Sequence, residues 1–223
     1  MTSAPHEPAR LERARDERLM RRALEAARSM MGRTWPNPVV GCVVARIDEN
    51  GCDEILAEAV TAPGGRPHAE EQALALAGER ARGATVYVSL EPCGERSSGA
   101  PSCSERLAEA GVARVVIAAD NPESHSAGRG VERLREAGVP VETGLLAQEA
   151  EPLYRAFRHK LRAGLPMVEA AASGEGFDAA FAPQPGESLD AALQRFGRVG
   201  YTRLWAPEGS DLALQLKKLD FLS

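Results

Sequence analysis

This sequence of 223 residues has few aromatic residues, no long apolar run and no excess of basic charge. Phe, Trp and Tyr make up 4% of the chain, which is too few for the stacking platforms that bind single-stranded nucleic acid. The net charge of −5 and the pI near 5.5 argue against broad, unspecific nucleic-acid binding. No stretch of about eighteen apolar residues is present that could span a bilayer.

The N-terminal region also lacks the features of a targeting segment. It is charged throughout and contains no apolar run, so we expect no signal peptide and a cytoplasmic location. In a reducing compartment, the four cysteines are expected to bind metal or pack in a core rather than form disulfides. With 43% hydrophobic and 26% charged residues, the chain predicts one full domain and a small second one.

Three short segments carry groups suited to metal binding and proton transfer: His68-Ala69-Glu70, Pro92-Cys93, and Cys103 ten residues further on. One imidazole and two thiols suit Zn²⁺, and a catalytic zinc needs three protein ligands and an open position for water. Such a water ionises near neutral pH and becomes a nucleophile. The set resembles that of zinc deaminases, in which a Glu moves protons and does not bind the metal. We therefore predict three zinc ligands, with Glu70 as the proton shuttle.

Each segment also has an ordinary structural interpretation. A lone His-Ala-Glu at a helix start is commonly a cap followed by acidic first-turn residues. The ten-residue separation of the two cysteines differs from the usual C-x-x-C spacing of deaminases. Cys42, inside VVGCVV, is expected to be a small core residue, and Cys52 an exposed thiol. The combination of the three segments, in strand-turn-helix context, favours a catalytic metal site.

Hydrophobic periodicity predicts helices and strands in alternation. An amphipathic helix is expected to end at Gly32, and an apolar run over 39–47 predicts a buried strand, to which 54–60 returns antiparallel. Further strands are predicted over 85–90, 114–119 and 139–143, and helices over 67–81, 101–109, 130–137 and 146–162. The pattern predicts a three-layer α/β/α sandwich around a mixed five-stranded sheet, its second strand antiparallel.

These elements place the metal-binding side chains at one edge of the sheet. Pro67 and Pro101 are expected to open two helices, which puts His68 and Cys103 in first turns, where the helix dipole favours a thiolate. Cys93 lies in the turn that leaves a strand. Open α/β sheets bind ligands at the carboxyl edge of their strands, so the metal is predicted there.

The composition changes after Gly164. Residues 173–188 are loop-like, and they are followed by a predicted helix near 189–196, a strand near 202–206 and a helix near 212–219. We therefore predict a main domain over 1–165 and a small α/β appendage over 166–223.

Longer motifs resemble a known family over about residues 18–165. They are TWPNPVVGCVV, GGRPHAE, GATVYVSLEPC, a later P-x-C and AGRG. Their order and spacing are similar to the deaminase domain of bifunctional riboflavin-biosynthesis deaminase/reductases. The resemblance implies a cytidine-deaminase-like fold, bound Zn²⁺, and hydrolytic removal of the 2-amino group of a diaminopyrimidinone that carries a ribosylamino 5′-phosphate. It also implies a homo-oligomer, either a dimer or a tetramer, and a pyrimidine contact by Asn37.

The chain departs from the family in the region expected to hold substrate. Thr61 replaces a histidine, the segment GERSSGAPS between the two cysteines is one residue longer and lacks the usual basic residue, and an Asp-Pro-Asn-Pro run becomes NPES. New acidic residues there should weaken phosphate binding, although an arginine could compensate. The predicted substrate contacts are Asn37, Thr61, Ala69, Arg96, Asn121, Glu123 and Arg129.

The C-terminal segment supports a further expectation. PMVEAAASGEG and GYTRLWAPEGSDLA resemble parts of the family's NADPH-dependent reductase, but no glycine-rich cofactor loop accompanies them. We interpret 166–223 as a truncated reductase remnant without reductase activity, or otherwise as an unrelated packing appendage.

Three functions remain open at this stage. The first is deamination of the riboflavin-pathway pyrimidine. The second is a repurposed deaminase of a phosphate-free pterin, purine or pyrimidine. The third is a non-catalytic zinc-binding relative that binds a partner enzyme, although the presence of Glu70 argues against it. A nucleic-acid deaminase fits less well, given the acidic charge and the missing C-x-x-C.

Overall fold

The computed structural model describes residues 7–48, 52–96, 99–123 and 127–219. These residues form two compact units. The first contains the described residues of 1–27, 40–60 and 67–150, and the second contains 28–39, 61–66 and the described residues from 151 onwards. The domain boundary predicted at residue 165 stays a prediction.

Apart from two pairs of consecutive strands, helices and strands alternate along the described chain, as predicted. In chain order they are α1 (Glu7–Ser29), β1 (Gly41–Ile47), β2 (Asp53–Val60), α2 (Ala69–Ala77), β3 (Thr85–Leu90), α3 (Cys103–Glu109), β4 (Arg114–Ala119), α4 (Arg129–Glu136), β5 (Val141–Thr143), α5 (Ala147–Ala163), β6 (Met167–Ala171), β7 (Ala179–Ala180), α6 (Leu189–Val199), β8 (Arg203–Pro207) and α7 (Asp211–Lys218). None of the helices in the described part of the chain is both long enough and apolar enough to cross a membrane.

The first unit is built on a mixed five-stranded sheet with strand order β2-β1-β3-β4-β5. β1 pairs antiparallel with β2, as predicted, and also with β3, whereas β3, β4 and β5 are parallel. The strand that runs against all the others is therefore β1 and not β2. The carboxyl ends of β3 and β4 lie side by side at one edge, so the loops that leave these two strands are neighbours.

Helices cover both faces of this sheet. A Cβ on Gly41 would lie 1.9 Å from a carbonyl oxygen of α1, so only glycine allows the helix to approach β1 this closely. On the same face, the Tyr87 hydroxyl donates to buried Asp16 of α1 at 2.6 Å. Cys42, which follows Gly41 and therefore points to the other face, lies near Glu70 of α2. The result is the predicted three-layer sandwich.

α2 and α3 begin two residues later than predicted. His68 and Ser102 have extended backbone angles and act as N-caps, so the helices start at Ala69 and Cys103. Helical geometry begins only after such a cap, and the Ser102 hydroxyl accepts a first-turn N–H at 3.2 Å. His68 therefore precedes its helix rather than lying in the first turn, and Cys103 is the first helical residue.

The second unit contains a small parallel sheet with strand order β6-β8-β7. The sequence predicted β8, α6 and α7 but missed β6 and β7. β7 has only two residues inside a glycine- and proline-rich segment, and β6 is short and alanine-rich, so neither shows strand periodicity. The buried core of this sheet and its helices comprises Val168, Phe181, Ala192, Leu193, Phe196, Leu204, Ala206, Ala213 and Leu216.

Candidate metal centre

The structure brings the three predicted metal ligands together in the first unit. His68, Cys93 and Cys103 offer donor atoms that all lie within 4.8 Å of one another. Nδ1 of His68 is 3.3 Å from Sγ of Cys103 and 3.9 Å from Sγ of Cys93. In a tetrahedral zinc site with usual bond lengths, a nitrogen and a sulfur ligand are about 3.5 Å apart. The donor set therefore suits Zn²⁺ in its chemistry and in its spacing.

The N-terminus of α3 holds Cys93 in place. The backbone N–H of Cys103 donates to Sγ of Cys93 at 3.3 Å. The N–H and the hydroxyl of Ser104 donate to the Cys93 carbonyl oxygen at 3.2 and 3.1 Å. The first N–H groups of a helix have no partner within the helix, so they are available for these bonds. The turn after β3 is thus fixed against the start of α3, and the two thiols are held together.

A hydrogen bond between the side chains of Cys93 and Cys103 shifts their pKa values in opposite directions. This hydrogen bond, together with the one to His68, lowers the pKa of Cys93 to about 3. The same bond, together with burial, raises the pKa of Cys103 well above its usual value. The hydrogen bond to Cys93 also raises the pKa of His68. Zn²⁺ binds cysteine as the thiolate, so metal binding here is coupled to the release of protons.

Glu70 lies beside this donor set and is 3% exposed. Burial raises the pKa of its carboxyl group and outweighs the opposing attraction of His68. A buried carboxyl group with a raised pKa can take up and release a proton closer to neutral pH than an exposed one can. Ala69, which lies between His68 and Glu70 in the sequence, is fully buried.

Glu71, which was not among the predicted site residues, supports two of the three candidate ligands. Its carboxylate accepts the His68 N–H at 3.1 Å and forms a bidentate pair with Arg96 at 2.6 and 3.1 Å. The Arg96 guanidinium in turn donates to Sγ of Cys103 at 3.4 Å. The hydrogen bond from Arg96 lowers the pKa of Glu71 to about 2. A Glu three residues after an N-cap is a recognised sequence signal, and it was available here.

Three other predicted substrate contacts lie in the first unit, on the segment after β4. The Asn121 side chain is 8% exposed, and its oxygen accepts the Glu123 N–H at 3.0 Å. Arg129, the first residue of α4, pairs with Glu95 at 2.6 Å, and both side chains are more than half exposed. Their substrate roles stay predictions.

The two remaining predicted contacts belong to the second unit. The Asn37 side chain packs against Gly65, where a Cβ would lie 2.2 Å from Asn37 Nδ2. Gly65 has a φ of +87°, so both its space and its backbone conformation require glycine. Thr61 is buried, with 1% of its surface exposed. Their contacts with a substrate also stay predictions.

Comparison with known proteins supports the grouping of these residues. Residues 13–119 match the family described as the cytidine and deoxycytidylate deaminase zinc-binding region. The chain is 43% identical over 173 residues to riboflavin biosynthesis protein RibD of Escherichia coli (strain K12), covering 78% of this chain and 45% of that protein. The chain thus spans about half the length of such relatives.

A shorter relative is matched over nearly its whole length. The chain is 37% identical over 147 residues to the diaminohydroxyphosphoribosylamino-pyrimidine deaminase of Buchnera aphidicola subsp. Acyrthosiphon pisum (strain APS), covering 66% of this chain and 96% of that protein. Among solved structures, one form of Acinetobacter baumannii RibD matches with a TM-score of 0.65 and 37% identity, over 79% of this chain and 48% of that one. The chain therefore belongs to the riboflavin-biosynthesis deaminases of the cytidine and deoxycytidylate deaminase family.

Proposed function

We propose that the chain is a zinc-dependent aminohydrolase that removes an exocyclic amino group from a pyrimidine. The observation that carries this proposal is the grouping of His68, Cys93 and Cys103 beside the buried carboxyl of Glu70. The preferred substrate is 2,5-diamino-6-ribosylamino-4(3H)-pyrimidinone 5′-phosphate. This choice is supported by the name of the Buchnera relative, because this chain matches 96% of that relative's length.

In this proposal His68, Cys93 and Cys103 hold the metal. When bound, Zn²⁺ with three protein ligands lowers the pKa of a water molecule and makes it nucleophilic near neutral pH. The proximity of Glu70 to the donor set supports its role as the group that moves protons. Its carboxylate would accept the first proton of the attacking water and deliver it to the ring nitrogen, and would then accept the second and deliver it to the departing amine, which leaves as ammonia. Water is consumed, the C–N bond breaks, and a carbonyl replaces the amine.

A second candidate is a deaminase of a related ring without a phosphate, and one observation favours it. Arg96 and Arg129, the two cations among the predicted substrate contacts, each pair with a carboxylate at 2.6 Å, namely Glu71 and Glu95. A guanidinium already paired in this way has less positive charge to offer a phosphate. Such a site would still bind an uncharged ring, but a phosphate group on the substrate would add less to the binding affinity.

We also propose that residues 166–223 form a reductase remnant that binds no NADPH. The support is the sequence, in which this segment resembles reductase motifs but shows no glycine-rich cofactor loop. Titration with NADPH, followed by quenching of tryptophan fluorescence, tests this; saturable binding would overturn it. The expected dimer or tetramer is tested by light scattering coupled to size-exclusion chromatography, where a monomer would contradict it.

The central experiment measures metal content and ammonia release on the same preparations. The wild type should bind one zinc per chain and release ammonia from the phosphorylated pyrimidine faster than from its dephosphorylated form. The reverse preference would select the second candidate. Zinc binding with no ammonia from any pyrimidine, pterin or purine would support a non-catalytic relative.

Two variants assign the roles within the site. Glu70→Gln should keep zinc while losing about 10²–10⁴-fold in turnover, because proton transfer is removed. Cys103→Ser should lose zinc and stability together, since ligand binding and folding are coupled. Glu79→Gln, an exposed change just after α2, is the matched control for Glu70→Gln. Near-normal turnover of Glu70→Gln would refute the shuttle role, and full zinc occupancy of Cys103→Ser would refute that ligand.

A further inference from the structure

A second buried carboxylate, Glu91, lies at the end of β3 two residues before Cys93, and the chemistry proposed above does not use it. It is 4% exposed. Its own N–H donates to the carbonyl oxygen of Ala119, the last residue of β4, at 2.8 Å. Burying a carboxylate is costly unless hydrogen-bond donors surround it, so its partners indicate what it does.

Within the described residues, the Glu91 side chain accepts hydrogen bonds from backbone N–H groups of the segment after β4. Oε2 accepts from Asn121 at 3.2 Å and from Gly128 at 3.1 Å. Oε1 accepts from Gly130 at 3.1 Å and from Val131 at 3.3 Å. One side chain therefore binds both ends of the segment 121–131, which is called the β4–α4 loop below. The described parts of this loop are 121–123 and 127–131.

These four bonds use the full hydrogen-bonding capacity of Glu91. An ionised carboxylate offers about four lone-pair sites and no donor. Two of the four donors, Gly130 and Val131, belong to the first turn of α4, where helix N–H groups lack partners and the helix dipole favours a negative charge. Glu91 is thus already committed to the loop.

Close backbone packing shows that the start of α4 lies tightly against the turn that carries Cys93. A Cβ on Gly130 would lie 1.9 Å from the Pro92 carbonyl oxygen and 3.3 Å from Oε1 of Glu91. A Cβ on Gly94 would lie 2.9 Å from the Arg129 backbone. The start of α4 is therefore in direct contact with the residues on either side of the candidate ligand.

We propose that Glu91 is a positioning residue: it fixes the β4–α4 loop against the metal-bearing turn, so that the loop's predicted substrate contacts are held ready beside the metal. The loop carries Asn121, Glu123 and Arg129. The link to substrate rests on the proposed function, whereas the link between Glu91 and the loop rests on the hydrogen bonds alone. Each part therefore has its own measurement.

The first test measures hydrogen exchange of the loop amides, with no substrate present. In the wild type, the amides of Asn121, Gly128, Gly130 and Val131 should be protected. In Glu91→Gln their exchange should rise by about tenfold or more, because an amide side chain offers fewer acceptor sites and turns an N–H toward two of the donors. Glu136→Gln, an exposed change on α4, is the matched control and should leave exchange unchanged.

The wild-type measurement keeps the first test decisive even if Glu91→Gln fails to fold. Exchange of the Gly128 and Gly130 amides at the rate of an unstructured peptide would overturn the proposal directly. Unchanged loop exchange in a folded Glu91→Gln variant would overturn it equally.

The second test separates positioning from chemistry. Glu91→Gln should keep its zinc and raise KM by about tenfold while kcat changes little, because the loop must be ordered again on each binding event. A fall in kcat with unchanged KM would place Glu91 in the chemical step and overturn the positioning role. If the wild type releases no ammonia at all, the proposed function fails, while the exchange result still decides whether Glu91 holds the loop.

Discussion

The pair formed by Glu71 and Arg96 gives the sharpest prediction about the metal centre. Glu71 accepts the His68 N–H and binds Arg96 bidentately, and Arg96 donates to the Cys103 thiol. The Arg96 side chain is 6% exposed and that of Glu71 19%. Glu71→Gln keeps the shape of the side chain but removes its charge and turns an N–H toward one of these donors. This one substitution would therefore weaken the contacts that hold both His68 and Cys103 in place.

Glu71→Gln should lower both the zinc affinity and the free energy of unfolding. Losing a residue that orients metal ligands typically costs 10–100-fold in metal affinity, and we expect a loss of about that size. A carboxyl whose pKa falls from 4.5 to about 2 would stabilise the fold by about 3 kcal/mol if it were fully shielded. Because Glu71 is partly exposed to solvent, screening reduces this to about 1–2 kcal/mol.

Competition with a chromophoric zinc chelator measures the affinity, and urea unfolding of the metal-free protein measures the stability. Glu79→Gln, exposed on the turn after α2, is the control and should change neither quantity. Arg96→Lys should fall between wild type and Glu71→Gln, since an ammonium keeps the charge but not the bidentate geometry. Zinc affinity of Glu71→Gln within twofold of wild type would refute the view that this pair supports the ligands.

Two further predictions concern stability in the first unit. The difference in unfolding free energy between wild type and Glu71→Gln should be fully present above about pH 4.5 and shrink as the pH falls toward 2. The reason is that a carboxyl with a depressed pKa stabilises the fold only while it is ionised. An undiminished difference in urea unfolding at pH 2 would contradict this. Asp16→Asn should lose about 2–3 kcal/mol in urea unfolding, because Asp16 is 3% exposed and accepts from Tyr87 and Arg114 at 2.6 and 2.7 Å. Glu12→Gln, whose side chain is 62% exposed, should change stability by less than about 0.5 kcal/mol, and a loss as large as that of Asp16→Asn would contradict the role of burial.

Much of the fold could be predicted because its strands are short, apolar and bounded by clear turn signals. β3 and β4 have the predicted bounds, and β1 and β2 differ by two residues at most. The starts of α2 and α3 were misplaced because proline at the first helical position and a cap one residue later give similar sequence patterns. β7 escaped prediction because a two-residue strand has no periodicity to detect.

The metal-binding side chains could be predicted because their chemistry is local. One imidazole and two thiols at helix starts and a strand end are visible in the sequence, and the alternation of elements places them at one sheet edge. The supporting contacts are different in kind. Glu71 reaches Arg96 across 25 residues, and Glu91 reaches Gly130 across 39 residues. Such contacts depend on which loops the sheet brings together.

The topology explains why the two buried carboxylates, Glu70 and Glu91, have different surroundings. β3 and β4 are parallel neighbours, so the turn after β3 and the loop after β4 leave the same edge side by side. Glu91 meets the unpaired N–H groups of that loop and the start of α4, which stabilise its charge and use all its lone pairs. Glu70, on a helix that covers one face of the same sheet, meets thiols and an imidazole instead, and burial raises its pKa. The fold therefore gives the two carboxylates different surroundings: burial beside titratable groups raises the pKa of Glu70, whereas four backbone N–H groups bind Glu91 to the β4–α4 loop.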